Sequence, residues 1–217
     1  MKNNITELVF ILDRSGSMSG LESDTIGGFN SMLQRQKQES GLAYVTTVLF
    51  DTRFDRIHDR LRLDQVAELT AKDYVPRGCT ALLDAVGDTI RHIAAIHRYA
   101  RPEDVPEKTV FVIMTDGMEN ASCRYRLDQI REMIRHEQEK YGWEFLFLGA
   151  NIDAAETAGT MGIRADRTAN FNPDDVGMEL SFHAVSEAVC AVQSRAPLSP
   201  SWKDEVERDH ACRMSKR

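Results

Sequence analysis

Short, nearly continuous apolar runs punctuate the chain at residues 8–12 (LVFIL), 109–114 (TVFVIM) and 144–148 (EFLFL). Each is too short for a helix and lacks alternating polar positions. Each therefore predicts a strand covered on both faces, as in a parallel sheet. Residues 43–50 (AYVTTVLF) predict another, being rich in β-branched and aromatic side chains. Residues 56–63 (RIHDRLRL) alternate apolar and charged positions. That pattern fits a half-exposed edge strand running antiparallel to its neighbour. Residues 167–171 supply a last short strand.

Helical spacing fills the intervals. Between residues 20 and 39, Ile26, Phe29, Met32 and Leu33 recur at three- and four-residue steps, with Ser23 or Asp24 as cap and Gly41 as stop. Gly27 and Gly28 inside that helix predict close packing against the sheet. Residues 64–70 predict a short helical piece. Thr80 is placed to cap a helix reaching about His97, with Leu82, Val86, Ile90, Ile93 and His97 as its buried stripe. Residues 127–141 form another helix, with Leu127, Ile130 and Ile134 inward, and residues 154–161 a short one. Pro173 suits the first turn of a final helix whose apolar stripe is Met178, Phe182, Val185, Val189 and Val192.

Alternating strands and helices with fully apolar strands predict an α/β fold: a doubly wound, mostly parallel six-stranded sheet with one antiparallel edge strand. Residues 1–195 make one domain. Beyond Arg195 the composition turns to prolines and mixed charges, with few apolar residues besides Leu198 and Trp202. Residues 196–217 are therefore expected to be a mobile or partner-docked tail.

The formal charge of −7 opposes a nucleic-acid binder that works by neutralising phosphates. No apolar run approaches membrane-spanning length, and the polar start MKNNITE leads into too few apolar residues for an export signal. A soluble, cytoplasmic protein is expected. Cys79, Cys123, Cys190 and Cys212 show no zinc-ligand spacing and are expected as free thiols, Cys79 being buried.

The first apolar run ends directly in Asp13-Arg14-Ser15-Gly16-Ser17. Gly16 and its small neighbours suit a tight loop that gathers Asp13, Ser15 and Ser17 toward one point. Oxygen ligands without His or Cys suit a hard cation such as Mg²⁺. In open parallel sheets ligands bind beyond the strand C-termini. Two other loops bring oxygen ligands to that edge: Thr80 in GCTALLDA and Asp116, at an exposed loop tip, in MTDGMEN. Glu119 and Asn120 read as solvated loop polarity or as a rim of the site, Asn151 and Asp153 as helix caps or ligand contacts, and His92 and His97 as structural.

With Asp-x-Ser-x-Ser, Thr and Asp in this order, residues 5–192 resemble a von Willebrand factor A domain with a metal-ion-dependent adhesion site, of the small bacterial intracellular type. The resemblance implies that Asp13, Ser15, Ser17, Thr80 and Asp116 hold one Mg²⁺ or Mn²⁺, which captures an Asp or Glu carboxylate of a partner protein. It implies a non-enzymatic binding module, in bacterial stress response or complex assembly. Two alternatives stand beside it: a Mg²⁺-dependent phosphohydrolase of the haloacid dehalogenase type, and a metal-free scaffold. Ser15 opposes the hydrolase, because those enzymes generally carry a second acid there as proton donor.

Overall fold

A computed structural model describes residues 4–39 and 41–214. Its six strands are β1 (Ile5–Asp13), β2 (Leu42–Phe50), β3 (Phe54–Arg62), β4 (Lys108–Thr115), β5 (Glu144–Gly149) and β6 (Thr168–Asn170). They lie in the order β3-β2-β1-β4-β5-β6. β2 and β3 pair antiparallel, and every other neighbouring pair is parallel. The expected doubly wound sheet with one antiparallel edge strand is the fold observed.

β1 lies centrally, hydrogen-bonded to β2 on one side and β4 on the other, and all nine of its residues are buried. Successive side chains of a strand point to opposite faces, which divides the core in two. Leu8, Phe10 and Leu12 pack with α1 (Glu22–Gln36) and residues of a later helix, numbered below as α5. Val9 and Ile11 pack with α2 (Leu82–Tyr99), α3 (Leu127–Tyr141) and α4 (Ala154–Thr160) on the other face. Chain order reverses between β1 and β4, so the ends of these two strands open a crevice at the switch point.

Several local expectations change. Gly28 packs against a helix rather than the sheet: a Cβ there would lie 2.3 Å from the Phe182 ring of α5 (Asp175–Gln193). Gly27 faces open space. Leu127 is exposed at the start of α3 while Ile130 and Ile134 are buried. Pro173 precedes α5, which Asp174 caps by accepting a hydrogen bond from the Gly177 N–H. Of residues 64–70 only the start is helical, in a single 3-10 turn at Leu63–Gln65.

The largest correction concerns the tail. Pro200–Lys203 form a 3-10 turn that leads into α6 (Asp204–Met214), which packs on α5 and β6. Leu198, Trp202 and Val206 join the α1/α5 core, and the Trp202 indole N–H donates to the Asp166 carbonyl at 2.9 Å. Three well-spaced apolar residues and polar contacts from Lys203, Asp209 and Arg213 hold the segment on its own domain, although its mean composition is polar. Trp202→Ala should lower the free energy of unfolding by about 3 kcal/mol in a urea titration. A change below about 0.5 kcal/mol, the size of an ordinary surface substitution, would mean that the segment does not dock.

Candidate metal centre

β1 delivers Asp13 to the switch point, where the side chain is only 1 % exposed. Its two oxygens are engaged separately. Oδ1 accepts from the Ser15 N–H at 2.6 Å, and Oδ2 accepts from the Thr115 hydroxyl at 2.5 Å. The loop then turns through Gly16, whose N–H donates to the Gly78 carbonyl at 3.2 Å. A side chain at Gly16 would crowd that carbonyl, because a Cβ would stand 3.3 Å from it. Ser15 and Ser17 hydroxyl oxygens lie 3.0 Å apart, and Ser17 Oγ donates to Asp116 Oδ1 at 2.6 Å.

Thr80 arrives from the second loop. A Cβ built on Gly117 would sit 3.5 Å from Ser17 Oγ and 3.6 Å from Thr80 Oγ1. All three loops therefore meet beside Gly117, and Asp13, Ser15, Ser17, Thr80 and Asp116 are brought together as expected. Asp116 is buried, 3 % exposed, rather than at an exposed loop tip.

Thr80 does not cap α2. The first-turn Leu83 N–H donates instead to Glu119 Oε2 at 2.9 Å, and the Asp84 N–H to Ser122 Oγ at 3.0 Å. Glu119 also accepts from the Ala121 and Ser122 N–H groups. Asn120 Oδ1 accepts from the Thr80 N–H, and the Thr80 carbonyl accepts from the Asn120 and Ala121 N–H groups. Glu119 and Asn120 thus lock the third loop to the second, which a reading as solvated polarity misses. Asp153 caps α4 by accepting from the Glu156 N–H, while the Asn151 amide lies 3.4 Å from the Asp116 carbonyl. His92 pairs with Asp59 and His97 faces Glu7, both away from the site. Cys79 is exposed rather than buried, and none of the four cysteines is joined in a disulfide.

Further residues brace the first loop. Tyr74, buried, donates its hydroxyl to the Asp13 carbonyl. Arg14 turns away from the oxygen cluster and ion-pairs with Asp51, at 2.9 Å, and with Asp55. Arg77 also reaches Asp51 at 2.9 Å, and its N–H donates to the Arg14 carbonyl. Burial pushes the Asp51 carboxyl up, but hydrogen bonds from the Arg53 N–H, Arg77 and Arg14 outweigh it and hold the group below the usual carboxylate range. No sequence spacing marks these partners, because the arginines and acids meet only once β2 and β3 are paired.

The two site acids have no such counter-charge. Burial pushes the Asp13 carboxyl up to about 6 despite hydrogen bonds from Thr115 and Ser15, and the Asp116 charge adds to the rise. Burial also raises Asp116 against the bond from Ser17. Two desolvated carboxylates facing hydroxyls, with no Lys or Arg of the described residues among the groups that shift them most, form a poorly compensated pair. Among the described residues, no group of three or more His, Cys, Asp or Glu side chains is arranged for a metal. The present cluster combines two carboxylates with three hydroxyls, an all-oxygen donor set that fits a hard divalent cation. The residues fit the group that the sequence motif implies.

Comparison with known proteins gives the fold its family. No protein-family model and no curated protein matches the chain. Among solved structures, the chain is similar to proximal thread matrix protein 1 from the mussel byssus with a zinc-occupied MIDAS motif, MIDAS being the metal-ion-dependent adhesion site. Identity there is 14% and the TM-score 0.59, over 85% of this chain and 46% of that one. A von Willebrand factor type A protein from Catenulispora acidiphila matches with TM-score 0.61 and 14% identity, over 86% of this chain and 43% of its own. The chain thus spans less than half the length of both. The vWF domain of the type V pili tip protein Mfa5 from Porphyromonas gingivalis matches with TM-score 0.63 and 10% identity, over 89% of this chain and 98% of that one. The architecture is therefore the von Willebrand factor A fold. At these identities the likeness carries the fold alone.

The raised Asp13 carboxyl has a signed consequence. With a folded-state value near 6 and an unfolded value near 3.8, the native state holds the extra proton between those limits. Stability in EDTA should therefore fall as pH rises from about 4 to about 6. Urea titrations across that range should show a shallower fall in Asp13→Asn, and an identical slope in the two proteins would contradict the assignment.

Proposed function

We propose that the protein is a non-enzymatic, metal-dependent protein-binding module. Asp13, Ser15, Ser17, Thr80 and Asp116 hold Mg²⁺ or Mn²⁺, and the partner supplies an Asp or Glu carboxylate. The observation that carries this reading is the convergence, at the switch point, of hydroxyls around two acids that lack a counter-charge. When bound, the ion offers an incompletely neutralised coordination position to an external oxygen anion. The chain's part is to hold the oxygens in place, through Tyr74 and Thr115 on Asp13 and through Asn120 on the Thr80 loop.

The hydrolase reading gains less support from the same contacts. Such enzymes generally carry a second acid two residues after the nucleophile as proton donor, and that position here is Ser15, whose hydroxyl faces Ser17. Among the described residues, the groups that act most on the acids are hydroxyls, backbone N–H groups and, on Asp13, the Asp116 charge, none of them an imidazole or amine that could serve as general base. Among the described residues, no helix is long and apolar enough to cross a membrane. The reading carries with it a cytoplasmic location and a role in bacterial stress response or complex assembly, as the resemblance implies.

Calorimetric titration should show Mg²⁺ or Mn²⁺ binding to the wild type and none to Asp13→Ala; equal binding would refute the site. At about ten times Kd the ion should stabilise the native state by about 1.4 kcal/mol. In capture experiments, proteins retained in Mg²⁺ should be lost in EDTA and on Asp116→Asn. Phosphate release from simple esters that disappears in Asp13→Asn would favour the hydrolase instead.

A further inference from the structure

The loops that deliver Thr80 and Asp116 continue past the site into one groove. Beyond Thr80 come Leu82 and Leu83, and beyond Asp116 comes Met118. With Leu127, Ile152 and Met161 these side chains line an open groove of about 500 Å³. Met118 is 72% exposed and Leu127 36%. Single exposed apolar side chains are ordinary, but here they share one concave, mostly apolar lining with a few polar groups, the form that binding sites take. The groove adjoins the oxygen cluster along the chain: Leu82 follows Thr80 by two residues, and Met118 follows Asp116 by two, across Gly117.

The charges in the lining have one sign. Glu119, Asp153 and Glu156 contribute to it, and no Lys or Arg does. Glu119 and Asp153 are fixed by N–H groups of the loop and of α4, while Glu156 is exposed. An apolar trough edged by acids complements an apolar side chain flanked by a cation. Resting on the metal-clasp reading, we infer that this groove is the specificity pocket beside the site. It takes a large apolar side chain of the partner segment, with an adjacent Lys or Arg, while the carboxylate of the same segment faces the metal centre. The partner is thus a protein loop combining an acidic, an apolar and a basic residue.

The probe is a set of fluorescein-labelled peptides, each with one Asp, one Leu and one Lys, and about one to four residues between Asp and Leu to sample the span of an extended segment. Anisotropy with the full chain in Mg²⁺ should show binding by at least one spacing. Its Leu→Ala version should bind about tenfold more weakly, and its Lys→Glu version should also lose affinity. Thr157→Arg, which fills the groove from α4, should abolish the preference for Leu over Ala. Magnesium calorimetry on the same variant reads the metal centre separately. Equal binding of the Leu and Ala peptides, or no binding by any of the set at about 1 mM, overturns the groove assignment, and the magnesium titration then decides the metal reading by itself. A Leu preference that Thr157→Arg removes but EDTA leaves unchanged supports the groove and overturns the clasp.

Discussion

The structure depends on one electrostatic constraint: Asp13 ends a strand that is covered on both faces and paired on both edges. A carboxylate in that position is cut off from water, and the charge acting on it is that of another acid, Asp116. Desolvation and like charge both oppose ionisation. The fold answers with hydroxyl and N–H donors only, from Ser15, Thr115 and Ser17. Such donors moderate the penalty without cancelling the charge. The crevice between β1 and β4 is thereby left with excess negative charge, and this gives the top face a chemical direction.

A second layer of contacts makes that arrangement persist. Arg14 follows Asp13 directly, yet its guanidinium is drawn off to Asp51 and Asp55, where Arg77 completes a four-residue charge network. Had Arg14 turned toward Asp13, the site would have carried its own counter-charge. Arg14 and Asp51 are both almost fully buried, and each has a second partner in the network, Asp55 for Arg14 and Arg77 for Asp51. Tyr74, Glu119 and Asn120 do the equivalent task without charge pairing, each satisfying N–H or C=O groups that the loops would otherwise bury unpaired. The loops are therefore tied to one another at this edge, and the apolar groove lined by Met118 opens where they continue.

The sequence by itself determined the layered architecture, because its signals are local and periodic. The uninterrupted run of β1 required cover on both faces, the alternation of residues 56–63 marked the antiparallel edge, and three- and four-residue steps marked the helices. It also determined that the loops after β1 and β4 would share an edge, since parallel strands end on the same side; the Thr80 loop follows the antiparallel β3 and returns to that edge only in the folded chain. Where prediction failed, the deciding contact was distant in sequence. The cap of α2 comes from Glu119 rather than the adjacent Thr80, and Gly28 makes room for Phe182 rather than for the sheet. Trp202 finds Asp166 and the α5 core, which average composition could not register. The burial of Asp13 and Asp116, the diversion of Arg14 and the joining of Met118 to Leu82 and Ile152 across one groove arise only when the strands are laid side by side. Short-range patterns set by backbone geometry were legible, whereas charge environment and surface shape depend on the sum of remote neighbours and were decided by the tertiary structure.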